Sequence, residues 1–383
     1  HHNKADFYLG VFISALALLL FPSDRRILLA ASSLALLYEL TEYGSNHEVL
    51  AIGVNIIILL AFAVPVVRGE SIDDDALFAR CAPALRWLLL SVYFWVFLHK
   101  VNSSYLNPEL SCAGRHGLFA APGDRFKLGF LKTLLDWRPL AYLSIYGSLL
   151  VEALIPILLL SKGRVFWIGI LIAEVFHTIM GVHYFWDFQP IVFALLSLFL
   201  PERFYGSILE SPPSIGLPLS QWFSFENRRR IFVALSLAYL ILGGLFAEDY
   251  LPTMPGLDLR FNLGWVAYCL YAAGLFFLLL RYAHAALGHK DPLGILLRAR
   301  FPSVLIPVAV FSLGFLPYLG LRNSAVYSMF SNLNTTQERW NHLIFPKSLS
   351  RFDYQRSKLV RDVEITIVGV DFKVSNITRT EYV

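Results

Sequence analysis

The chain has 383 residues, of which 56% are hydrophobic and only 16% charged, with a formal net charge of +4. A soluble domain carries roughly a quarter charged residues. Here the charges cluster between long apolar runs, which disfavours a soluble core, and the basic residues sit at the ends of those runs, which disfavours a nucleic-acid binder.

In chain order, the candidate membrane spans are Phe7–Phe21, Ile27–Leu40, Val49–Val67, Leu85–Leu98, Leu140–Leu160, Val165–Trp186, Pro190–Leu200, Ile231–Phe246, Leu263–Leu280 and Val304–Leu321. Most approach the length that crosses a hydrocarbon core. The second and seventh are short, so a tilted, extended or re-entrant course is open for either. The expected fold is an all-α polytopic membrane protein of about nine or ten transmembrane helices, occupying residues 1–321. Its fourth loop, 101–139, contains an amphipathic stretch, Phe126–Leu135, that reads as an interfacial helix. The tail, 322–383, is polar. Within it Val363–Ile367 and Val370–Val374 alternate apolar and polar residues around Gly369, the pattern of a small extramembrane β-hairpin.

Orientation follows from the basic residues of the short loops. Arg25 and Arg26, Arg68 and Arg80, Lys162 and Arg164, Arg203 with Arg228–Arg230, and Arg281 with Arg300 fall in alternate loops and read as cytoplasmic. Glu42, Glu48, Asp187, Glu248 and Asp249 fall in the others. Both termini are then expected on the periplasmic or luminal side. Asn102, Asn334 and Asn376, each opening an N-x-Ser/Thr pattern, fall on that side too.

Ionisable groups inside spans are costly and point to function. Glu152 lies mid-span, four residues before Pro156. Glu174 and His177 are three apart and share a helix face. His183 and Asp187 follow at the outer end of that helix, His99 and Lys100 close the fourth span, and Asn46-His47-Glu48 open the third. In the expected topology these groups converge on an outward-open polar pocket between the third and sixth spans. A structural reading stands beside this one. Lys100 at a helix end can snorkel to the headgroups, Glu174 and His177 can form a buried pair, and Glu152 can serve carbonyls freed by Pro156. No His/Cys/Glu cluster has metal-ligand spacing, so no metal is expected. The cysteines Cys81, Cys112 and Cys269 form no CxxC pair, which leaves neither a disulfide framework nor a thiolate site in view.

Several of these segments resemble the HTTM family, the transmembrane domain of vitamin K-dependent γ-carboxylases and their bacterial relatives. They are Asn46-His47-Glu48-Val49-Leu50, Leu98-His99-Lys100-Val101-Asn102, and Phe176-His177-Thr178-Ile179-Met180 with Phe188–Leu200. Tyr327–Leu333 with Arg339–Leu343 completes the set in the same order. The resemblance implies a carboxylase-like enzyme using a reduced, vitamin K-like quinone, oxygen and carbon dioxide at the outer membrane face, with a secreted peptide as partner. It implies Lys100 as the base toward the hydroquinone and His177 as its helper; Asn46, His47, His99, Glu152, Glu174, His183 and Asp187 are the pocket residues expected from the spans themselves. The chain departs from the carboxylase in its short tail. Two alternatives carry no catalysis: a quinone- or lipid-binding protein using the same pocket, and a structural subunit of a larger membrane complex. Membrane lipids are partners in every case.

Overall fold

The computed structural model describes residues 13–18, 20–21, 24–41, 46–70, 73–115, 138–182, 188–210, 229–230, 233–234, 259–286, 298–322, 325–328, 331–336, 339–352, 362–367 and 370–375. The candidate spans Phe7–Phe21 and Ile231–Phe246 lie largely outside these residues, and the interfacial stretch Phe126–Leu135 wholly so.

The molecule is mainly helical. Its principal helices are α1 (Arg25–Thr41), α2 (Asn46–Val67), α3 (Asp74–Lys100), α4 (Arg138–Leu159), α5 (Gly163–Met180), α6 (Gln189–Ser197), α7 (Glu202–Glu210), α8 (Leu259–Arg281) and α9 (Leu305–Leu313). Single helical turns occur at Cys112–Arg115 and Ala283–Ala286. By length and apolar composition α2, α3, α4 and α5 can each cross a membrane, and the bent pair α6–α7 makes a fifth if it counts as one span.

Helix α3 is the axis of the bundle, and α2, α4, α6 and α9 pack against it. It begins where Asp73 accepts a hydrogen bond from the Ala76 N–H at 2.7 Å, satisfying a donor that the first helical turn leaves open. Its 27 residues extend the expected span by eleven residues toward the Arg80 side. Arg80 pairs there with Glu70 at 2.8 Å, and Arg25 of α1 with Asp74 at 2.5 Å. Leu88, Leu89 and Trp95 of α3 are fully buried, as are Leu50 and Ile57 of α2 and Ile155 and Leu159 of α4. The outer helices differ. Leu143, Leu150 and Ile157 recur every seven residues on α4, and all are exposed. Val165, Ile168, Val175 and Ile179 form a similar exposed stripe on α5. A continuous apolar face without polar cover is a surface for lipid or for another apolar chain.

Two expected spans are not single continuous helices. Pro190–Leu200 proves to be α6, which ends at Ser197 and turns by 104° into α7. Pro201 stands at the bend. Arg86, buried on α3, donates through Nε to the Leu198 carbonyl at 2.7 Å and through Nη2 to the same oxygen. That carbonyl lost its helical partner at the break, and the guanidinium replaces it. Val304–Leu321 holds regular helix only to Leu313, then continues as turns. At Gly314 the backbone rests on the Trp95 indole, where an added Cβ would collide. Pro317 lacks the N–H that a longer helix would need.

Residues of 331–336 and 339–345 are bound to the end of α3 and the turn that follows it. Asn102 is the anchor: its amide nitrogen donates to the carbonyls of His99 (2.8 Å) and Ser331 (2.6 Å), and its oxygen accepts from the Tyr105 N–H (2.8 Å). Asn341 donates to Asn102 Oδ1, Ser104 Oγ and the Asn332 carbonyl. The Asn102 amide, fully buried and engaged, thus has a structural use, and a glycan has no access to it in the folded chain.

Candidate functional site

One face of α3 carries Leu89, Val92, Tyr93, Val96 and Lys100, at the three- and four-residue spacing that stacks side chains on one side of a helix. These residues form one wall of a cavity with about 740 Å³ of space between atoms, its mouth included. Opposite stand Glu152 from α4, Phe176, His177 and Met180 from α5, and Phe188, Gln189 and Val192 around the start of α6. Asn46 from α2 and Tyr327 from the tail complete it. Most of this lining is apolar; the polar groups are few and fall into two sets.

The first set is an ion pair. Lys100 Nζ donates to Glu152 Oε1, and both residues are buried. The other carboxylate oxygen, Glu152 Oε2, is buried with no hydrogen-bond partner. The ammonium also lies 5.6 Å from the centre of the Tyr105 ring, whose hydroxyl is bonded to Ser148 of α4 at 2.6 Å. Burial pushes the Tyr105 phenol above its ordinary value while the Lys100 ammonium pulls it down, with a net rise. Tyr105 therefore stays neutral and offers the cation an aromatic face.

The second set is a chain of three. The Tyr93 hydroxyl lies 2.6 Å from His177 Nε2, and His177 Nδ1 lies 2.6 Å from Gln189 Oε1. A carboxamide oxygen only accepts, so Nδ1 carries the imidazole proton and Nε2 is the acceptor for the Tyr93 O–H. The Tyr268 hydroxyl of α8 fixes the helix end behind His177, donating to the carbonyls of His177 (2.9 Å) and Thr178 (3.3 Å).

Among the residues expected at the site, Lys100, His177, Glu152 and Asn46 do share the cavity wall. The Asn46 Oδ1 accepts the Tyr327 N–H at 2.5 Å, holding Tyr327 at φ 63°, a conformation costly for any residue but glycine. The others are placed elsewhere. His99, next to Lys100, faces the opposite side of α3. Its Nε2 donates to the Gly314 carbonyl at 3.1 Å and its ring lies against Trp95 and Tyr318. His47 packs beside Phe188, 6.1 Å between rings, outside the wall. Glu174 is buried one turn before His177 but does not line the cavity. Its Oε1 has no hydrogen-bond partner. His183 and Asp187 lie outside the described residues.

Tyr93, Gln189, Tyr105 and Tyr327 are site residues that the sequence reading passed over. Neutral polar side chains inside or beside apolar runs carry no charge to flag them. Gln189 alone left a trace, as a carboxamide directly before the Pro190 that opens a helix. Among the described residues, no group of three His, Cys, Asp or Glu side chains is placed to hold a metal ion.

In comparisons with known proteins, no family profile, no curated protein and no solved structure matches the chain.

Proposed function

We propose that this membrane protein binds a reduced quinone of the vitamin K type in the α3–α6 cavity and removes a hydroxyl proton from it, as a carboxylase-like enzyme. The observation that carries this reading is the buried Lys100–Glu152 pair in an otherwise apolar wall, with Glu152 Oε2 unpartnered. An apolar pocket with a few fixed polar groups is the usual form of a small-molecule site. A hydroxyl brought to Glu152 Oε2 finds the acceptor it needs. The proton passes to the carboxylate, and Lys100 remains as the cation that stabilises the oxyanion formed. This assigns the base role to Glu152 and the electrostatic role to Lys100, since an ammonium already donating to a carboxylate has no free lone pair.

The reaction would face the periplasm or lumen. The pairs Arg25–Asp74 and Arg80–Glu70 lie toward the start of α3, and Lys100 stands at its other end, which supports the orientation drawn from loop charges. The tail is read as lying on the Lys100 side, ending in a β-hairpin. The antiparallel register of Asp362–Ile367 with Val370–Ser375 supports that reading. Nine or ten crossings remain the proposed count.

The test is turnover in lipid nanodiscs. Reduced naphthoquinone oxidation by molecular oxygen is followed by absorbance for the unaltered protein, Glu152→Gln and Lys100→Met. Loss of a general base lowers the rate about 10²- to 10⁴-fold, and that is the expected result for Glu152→Gln. Equal turnover in all three proteins would contradict the reading. A second reading, a non-catalytic quinone- or lipid-binding protein, is favoured by the mostly apolar wall; it predicts saturable binding with no turnover in any of them.

A further inference from the structure

The Tyr93–His177–Gln189 chain has no part in the step assigned to Lys100 and Glu152, yet it stands in the same wall. Its polarity is fixed by Gln189, as above: Tyr93 donates its proton to His177 Nε2. The phenol oxygen is then left with its lone pairs and has become an acceptor for whatever occupies the cavity. Tyr93 and Lys100 are seven residues apart on α3, two turns and about 10 Å along the axis on nearly the same face. Val96 lies between them in the wall. The cavity therefore has two hydrogen-bond acceptors, Glu152 Oε2 at one level and the Tyr93 oxygen at another, with apolar surface between.

We infer that the cavity is built for a ligand with two hydroxyls at opposite ends of an apolar ring, a hydroquinone, with one hydroxyl donating to Glu152 and the other to Tyr93. This inference rests on the quinol reading of the site and specifies how both ends of the ligand are recognised. A simple alcohol or a fatty acid would satisfy one acceptor and leave the other buried and unpaired, which a polar site tolerates poorly.

The Tyr93 end can also carry a proton away. The ligand O–H proton moves to the Tyr93 oxygen as the original Tyr93 proton moves to His177 Nε2. The ligand oxygen is left anionic, Tyr93 is again a neutral phenol, and His177 is an imidazolium still donating Nδ1–H to Gln189. The balance needs no oxidant or reductant. Tyr93 is thus the group that touches the ligand, and His177 is a positioning residue acting through it.

The experiment compares binding of three ligands to the full-length protein in nanodiscs, without oxygen: a prenylated naphthohydroquinone and its two monomethyl ethers. Each ether removes one donor. The unaltered protein is expected to bind each ether about tenfold more weakly than the hydroquinone, the loss that follows from about 1.4 kcal/mol. In Tyr93→Phe, one of the two penalties falls to within about twofold of unity and the other stays. His177→Asn weakens the same penalty, because Tyr93 loses its orientation. Each penalty is a ratio measured on one preparation, so a partly unfolded sample does not imitate the result, and His177→Asn serves if Tyr93→Phe fails to fold. Retention of both penalties in both variants would overturn the inference while leaving the quinol reading intact. No binding of any of the three ligands to the unaltered protein would overturn both.

Discussion

His342 shows how single residues hold the site together. It lies outside the spans, and its ring ties the tail to the end of α3. Nε2 donates to the Leu98 carbonyl at 3.0 Å, and Nδ1 accepts from the N–H groups of Ile344 (3.2 Å) and Phe345 (2.9 Å). Burial holds the imidazole below its ordinary value of 6.5, partly offset by the Leu98 bond. The unfolded tail therefore binds a proton more readily than the folded one. The stabilisation from His342 is complete above about pH 6.5 and is lost as pH falls below it toward the folded value. Hydrogen exchange at the Leu343, Ile344 and Phe345 amides should accelerate on acidification beyond the intrinsic pH trend, and His342→Asn should remove that excess. The Lys100–Glu152 pair behaves differently. Removing one partner of a buried pair leaves an uncompensated charge and costs about 3–5 kcal/mol, whereas replacing both with apolar residues is close to neutral. Lys100→Met should lower the unfolding midpoint in detergent, and Lys100→Met with Glu152→Leu should recover most of the loss. Full recovery of stability with no recovery of ligand turnover would separate the structural use of the pair from its chemical one.

At the scale of elements, the break between α6 and α7 carries the sharpest expectation. Arg86 places two donors on the Leu198 carbonyl, and its guanidinium lies 5.8 Å from the Phe199 ring centre. Arg86→Met keeps the packed stem but leaves a buried carbonyl unsatisfied, at a cost of about 1–3 kcal/mol. The unfolding midpoint should fall accordingly. Because Gln189 opens α6, the orientation of His177 should loosen with it, and an unchanged midpoint would mean that the bend holds without the arginine. Helices α2 and α4, each long and apolar enough to cross a membrane, were legible in the sequence because an apolar run of the right length needs no other cue. Lys100, Glu152, Asn46 and His177 stand out in the sequence because polar groups are rare in such runs, and the four line one cavity. The α6–α7 bend was not. A buried arginine serving a carbonyl 112 positions away leaves no periodic signal, and Arg86 reads as one charge in a long apolar stretch. His99 misled for a related reason. Adjacent residues on a helix point about 100° apart, so sharing a motif with Lys100 did not mean sharing its cavity. The docking of residues 331–336 and 339–345 on the end of α3 left no sequence signal, because it is a web of Asn, Ser and His bonds to distant backbone, which has no repeat.

For the whole molecule, the exposed apolar stripes on α4 and α5 and the buried axis α3 define a bundle whose mostly apolar cavity lies along the Tyr93–Lys100 part of α3. Sidedness can be read by cysteine accessibility. With Cys81, Cys112 and Cys269 replaced by alanine, Arg68→Cys should react with a membrane-impermeant thiol reagent only after the membrane is opened. Glu109→Cys should react in intact cells or right-side-out vesicles. The reverse pattern would invert the orientation and place the cavity mouth toward the cytoplasm. The central claim concerns what the cavity holds, and a density map of the protein in nanodiscs with excess naphthohydroquinone tests it most directly. The account predicts a ring-shaped density among Val96, Phe176 and Val192, with one oxygen near Glu152 Oε2 and the other near the Tyr93 hydroxyl. A cavity closed by side chains, or a ligand bound elsewhere with the Lys100–Glu152 pair untouched, would contradict it.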